Sequence, residues 1–110
     1  MDEERYQPAF EMILHAGTAK SCAIMAVEAA RSFDFATSDS NLEEAEREMK
    51  AAHDAQLEMI QSEAQGNPVE LNIILVHAFD HLTMAIMAMD SAREMTEMCR
   101  MIQQLSKQTA

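Results

Sequence analysis

His77, Asp80 and His81 are the residues in this chain whose types and spacing most suggest chemistry. On a helix, positions i, i+3 and i+4 project from neighbouring points on one side, so the three side chains can act on one small region. Three kinds of chemistry fit. Histidine and aspartate at these intervals can share a metal ion, although the segment lacks the glutamate base of the HExxH hydrolases. Asp80 can orient an imidazole for acid–base work. Finally, a neutral imidazole nitrogen is a nucleophile for phosphoryl transfer, and an ordinary histidine pKa of about 6.5 leaves much of the ring neutral near pH 7. A polar edge on a packed face accounts for the same spacing, and spacing alone favours that plainer reading. His15 and His53 stand apart from any comparable pattern.

The elements that must hold these side chains are helical. Only two glycines and two prolines occur in 110 residues, and no alternating β-branched run suggests a strand, so the expected fold is all-α. A first helix is expected over about 7–31, opening after Tyr6 with Pro8 in its first turn, where a missing N–H costs least. Gly17, Ala19 and Ala23 would let a neighbouring helix approach closely. A second helix is expected over about 35–64. The cap-type run Thr37 to Asn41 leaves open a later start at Ser40, with Glu43 completing a capping box. Gln65-Gly66-Asn67-Pro68 is the clearest turn, and a third helix of roughly 50 Å is expected over about 69–106.

The third helix carries two apolar faces. Leu71, Leu75, Ala78, Leu82, Ala85 and Met89 form the stripe expected to pack within the chain. Val69, Ile73, Val76, Met84, Met87, Met98, Ile102 and Leu105 lie about 180° away, counting roughly 100° per residue. Three helices cannot bury both stripes, so copies of the chain are expected to cover the second one. A ring of three is the simplest closed arrangement, with two or four left open. Asp80 falls within this second stripe, where a buried carboxylate needs a partner. Symmetry-related copies of Asp80 would call for shared protons or a cation, and Mg²⁺ suits an all-oxygen site; a solvated place near the rim fits the sequence equally well.

Composition sets outer limits. The length fits one domain, 1–110, and the formal charge of −11 argues against nucleic acid and anionic lipid as partners. Cys22 and Cys99 form no CxxC pair, and neither a zinc site nor a disulfide is expected from them. The first residues are acidic, and no uninterrupted apolar run approaches the roughly 20 residues that span a bilayer. A cytoplasmic protein with reduced thiols and no membrane insertion is expected.

Leu75-Val76-His77-Ala78-Phe79-Asp80-His81-Leu82-Thr83 resembles the LVHAQDHLM signature of the lactose/cellobiose IIA family of the sugar phosphotransferase system. Ala51-Ala52-His53-Asp54-Ala55-Gln56 resembles that family's AHxxQT segment, Glu63-Ala64-Gln65-Gly66 its EAxG, and His15 to Ser21 its SGxARS stretch. The similarity runs in order from about Phe10 to Leu105. It implies a three-helix antiparallel bundle that assembles into a homotrimer through the long third helix. It also implies that His77 accepts a phosphoryl group from phospho-HPr and passes it to a cysteine of a cognate IIB protein, which serves IIC during uptake of a β-linked disaccharide. By the same resemblance His81 is a supporting neighbour, Gln56 a possible phosphoryl contact, and Asp80 the carboxylate that holds Mg²⁺ or another divalent cation at the trimer axis. Phe79 stands where the family has glutamine, which leaves open slower transfer, compensation by Gln56 and backbone donors, altered partner preference, or a degenerate, non-catalytic oligomeric module. A metal-dependent enzyme built on His77, Asp80 and His81 is the third reading.

Overall fold

A computed structural model of the chain describes residues 3–109, so Met1, Asp2 and Ala110 of the expected 1–110 unit lie outside the described residues. Three helices, α1 (Glu3–Arg31), α2 (Phe35–Ala64) and α3 (Ile73–Thr109), follow one another, and no strand occurs among the described residues. They pack up-down-up: Ser38 of α2 meets Thr96 of α3, and Arg5 of α1 reaches Glu70 just ahead of α3. The bundle is a rod of 62 × 28 × 19 Å, with α1 packed along both other helices and α2 and α3 less in contact.

Helix termini follow from local chemistry. Asp34 caps α2, its carboxylate accepting from the Thr37 amide at 3.2 Å, so the helix starts at Phe35 and the cap-type run that follows is helical. Ser38 in that run faces inward, fully buried, with its hydroxyl 3.4 Å from Thr96 Oγ1. At the other end Gly66 adopts φ +89°, the Gly66 amide donates to Glu63 O, and the Asn67 amide donates to Ser62 O at 2.9 Å. This paired closure satisfies the last carbonyls and needs a left-handed residue, which is why glycine occupies it.

Two helix starts differ from the sequence expectation, and α3 runs on to Thr109, past its expected end near 106. Helix α1 opens at Glu3, ahead of Tyr6, and Pro8 sits in its second turn. The proline removes only the bond its amide would have given to the Glu4 carbonyl, a small loss at a helix end that the Arg5–Glu70 pair and the Tyr6–Phe10 ring contact anchor. Helix α3 opens at Ile73, four residues later than expected, because Asn72 is its cap: Asn72 Oδ1 accepts from the Leu75 amide at 2.9 Å, and Asn72 O from the Val76 amide. Pro68 therefore lies in the irregular approach and not in a helical first turn.

The core is built from small residues. Among the described residues, eleven of the sixteen buried apolar ones are alanine, which permits close helix approach but removes little apolar area from water per residue. Ala19 and Ala23 sit at the contact as expected, whereas a Cβ on Gly17 would meet open space, so that glycine serves no close approach. Leu75, Ala78, Leu82, Ala85 and Met89 are buried, as the first stripe requires; Leu71, 72% exposed, belongs to the approach and not to the core. On the second stripe Ile73, Val76, Met84, Met87, Met98, Ile102 and Leu105 are all exposed, while Val69 packs against the core. By length and composition α3 could cross a bilayer, which a search for uninterrupted apolar runs does not register, but its inner stripe is packed as in a bundle helix.

Candidate functional site

The late start of α3 matters for the site. With Ile73 first, His77 is the fifth helical residue and lies in the second turn. The His77 ring thus belongs to a residue about one turn from the helix N-terminus, where the dipole presents partial positive charge. A phosphoryl group on that ring would sit at the end of a helix that favours anions.

His77 is exposed and His81, one turn on, is half-buried. Their Nε2 atoms are 3.0 Å apart and the rings meet edge to face, with centroids 4.5 Å apart and planes at 86°. A bond between two imidazole nitrogens needs one donor and one acceptor. If His77 is to use its Nε2 lone pair, His81 must be the ring that carries Nε2–H, leaving the His77 proton on Nδ1. Among the described residues this is the one hydrogen bond either ring makes.

Asp80 is exposed and shares a shallow concavity with Ile73, Val76, His77, Phe79 and Thr83. No ion pair or hydrogen bond to Asp80 occurs among the described residues. Nor do three or more His, Cys, Asp or Glu side chains converge on a metal position there, which corrects the reading of His77, Asp80 and His81 as a three-ligand set within one chain. The i, i+3, i+4 spacing puts the three on one side of the helix, but only the two imidazoles come together. A cation at Asp80 fits this chain only as an ion shared among copies.

Phe79 is half-buried against the core and borders two hollows at once. One holds His77. The other is an apolar groove of about 460 Å³ between the end of α2 and the start of α3, lined by Met59, Ile60, Val69, Leu71 and Leu75 among others. Gln56 is half-buried on α2, and no hydrogen bond joins it to His77 or His81 among the described residues. His53 is exposed. His15 pairs through Nδ1 with Glu48 Oε2 at 2.5 Å, tying α1 to α2 across 33 residues that no sequence pattern connects. Cys22 and Cys99 are both free thiols, the first buried and the second half-buried.

The description "PTS system, Lactose/Cellobiose specific IIA subunit" matches residues 7–100. Among curated proteins, the lichenan-specific phosphotransferase enzyme IIA component of Bacillus subtilis is 41% identical over 89% of each chain. The galactose-specific EIIA component of Lactococcus lactis is 37% identical over 86% of this chain and 81% of its own length. Among solved structures, the cellobiose-specific enzyme IIA from Bacillus anthracis superposes with a TM-score of 0.88 at 34% identity, covering 94% of each chain.

Proposed function

The chain belongs to the lactose/cellobiose-specific IIA family of the sugar phosphotransferase system, and from that premise we propose that it is a cytoplasmic phosphocarrier that loads and unloads a phosphoryl group on His77. The observation that carries the proposal is one exposed imidazole in the second turn of α3, hydrogen-bonded to a second imidazole at 3.0 Å. In the loading step the His77 Nε2 lone pair attacks phosphorus as the N–P bond of phospho-HPr breaks. In the unloading step a thiolate of the cognate IIB forms S–P as the His77 N–P bond breaks, and IIB in turn serves IIC. Both steps exchange one high-energy bond for another, so the chain has mainly to position the ring and balance charge.

His81 supports both steps through its Nε2–H. That proton holds the His77 tautomer with Nε2 unprotonated, and it can move onto a phosphoryl oxygen once Nε2 is occupied. No Lys or Arg side chain bonds to His77 among the described residues, so further donors come from the docking partner, from a neighbouring copy, or from Gln56 after rearrangement. The exposed second stripe of α3 supports assembly through that helix, with a homotrimer as the closed ring. Asp80 would then face its copies and hold Mg²⁺ or another divalent cation in a structural role. The sugar is a β-linked disaccharide in this reading, although the relatives' names differ in their sugars. Phe79, where the family has glutamine, supplies an apolar border to the docking surface.

Incubation with phosphoenolpyruvate, enzyme I and HPr tests the proposal. The wild-type chain takes up acid-labile, base-stable phosphate, and His77→Ala takes up none. Label retained by His77→Ala would move the acceptor elsewhere. Normal assembly without label at any donor concentration would favour a non-catalytic module in which Phe79 has abolished transfer.

A further inference from the structure

The two imidazole Nε2 atoms that share a hydrogen bond are also near enough to share a metal ion. We propose that His77 and His81 bind a divalent d-block cation through both Nε2 atoms, copper(II) or nickel(II) ahead of zinc, and that the bound ion masks the phosphoacceptor. The masking clause rests on the phosphocarrier reading; the binding itself does not.

The geometry comes first. Metal–imidazole bonds run about 2.0–2.1 Å, and with Nε2 atoms 3.0 Å apart they meet at roughly 90–97°. That is a cis pair in a square-planar or octahedral sphere, the preference of copper(II) and nickel(II). A tetrahedral zinc site would need the nitrogens about 3.3 Å apart, so the pair must open before zinc is served equally well. The ring centroids agree. Placed about 1.1–1.2 Å behind each Nε2 and converging on one ion at these bond lengths, they would lie roughly 4.7 Å apart, whereas head-on nitrogens would put them beyond about 5 Å. The observed separation of 4.5 Å lies close to the converging value and short of the head-on one, so a small rotation of the exposed His77 ring brings both lone pairs onto one ion.

Ligand chemistry separates this position from Asp80. Neutral imidazole prefers copper, nickel and zinc, whereas carboxylate oxygens, such as copies of Asp80 would supply together, suit magnesium or calcium. The two His Nε2 atoms are the only protein ligands invoked, and water completes the coordination sphere; that fits the lack of a convergent set of three among the described residues. Binding needs no net proton loss from the neutral pair. His81 gives its Nε2 proton to water as water returns one to Nδ1, after which both Nε2 lone pairs face the ion. His77 is exposed and can turn onto it without disturbing the core. Because the same Nε2 lone pair would make the N–P bond, ion and phosphoryl group exclude each other.

Calorimetry with nickel chloride and with copper chloride at neutral pH, on the full chain, tests this. One ion should bind per chain. His77→Ala and His81→Ala should each weaken binding about tenfold or more, because each removes the second, intramolecular ligand. Asp80→Asn should stay within about threefold of wild type. Saturating nickel should stop phosphate uptake, and a chelator should restore it; the phosphorylated chain should bind no nickel at this pair. Wild-type affinity no greater than that of His77→Ala would overturn the proposal, as would binding lost in Asp80→Asn but retained in both histidine variants. A chain that takes label on His77 but shows no histidine-dependent metal binding overturns this inference alone. A chain that chelates through both rings and never takes label overturns the carrier reading and leaves the binding site standing.

Discussion

Replacing His81 with alanine removes the one hydrogen-bond partner that the His77 ring has among the described residues, a contact of 3.0 Å between Nε2 atoms. In the loaded state the same donor would face a charged phosphoryl oxygen, and a hydrogen bond to a charged group contributes about 1.5–3 kcal/mol. At roughly 1.4 kcal/mol per decade of rate, its loss should slow phosphoryl exchange by about 10- to 150-fold. Stability should change little by comparison, because His81 is only half-buried and lies outside the buried core. His81→Gln keeps an N–H donor at similar reach and should recover about a tenth or more of the wild-type rate. Rapid-quench measurement of uptake from phospho-HPr, and separately of transfer to IIB, gives both half-reactions, while circular dichroism verifies the fold. A rate for His81→Ala within about threefold of wild type in both halves would refute the reasoning. So would slow transfer in His81→Ala that glutamine fails to improve.

Three further outcomes follow from the packing and the shifted groups. Leu82 is 1% exposed and lies next in sequence to His81, so Leu82→Ala should cost about 2–5 kcal/mol in urea unfolding, whereas truncating the exposed Met87 in the isolated chain should cost under about 1 kcal/mol. The Thr37 side-chain and backbone bonds hold the Asp34 carboxyl below its ordinary range; its contribution is whole above about pH 4, where an unfolded aspartate is ionised, and is lost as pH falls through the lowered folded value. Asp34→Asn, which still caps but does not titrate, should therefore flatten the acid limb of the thermal stability profile, and an unchanged limb would count against the cap. Burial, then Glu44 and Glu48, push the Cys22 thiol up, so alkylation of the native chain should reach the half-buried Cys99 first and Cys22 only on unfolding.

The sequence carries the parts of this architecture that depend on periodicity. The Leu75 to Met89 stripe, the Gly66 turn and the Asp34 start of α2 follow from repeating apolar positions and from residues with strong local preferences. The departures arise where one side chain overrides a broader signal. Asn72 caps α3 and holds its first turn back from Pro68, and a cap-type residue three places before Leu75 was the available sign. Pro8 reads as a helix start only if the residues before it are not held, and the Arg5–Glu70 pair across 65 positions is invisible to local pattern. Gly17 looks like a contact glycine until the neighbouring helix is seen to pass elsewhere. At the site, the i, i+4 spacing placed His77 beside His81, but their mutual orientation, and the absence of Asp80 from it, required the rotamers.

The most direct measurement of the central claim is nitrogen NMR on chain carrying labelled histidine, recorded before and after loading by phospho-HPr. Of the four histidines, only the His77 ring should acquire the signature of a phosphorylated nitrogen, at Nε2, with the His81 signals shifting as its donor changes partner. A phosphorylated nitrogen on His15, His53 or His81, or four unmodified rings in a chain that docks its donor, would contradict the account.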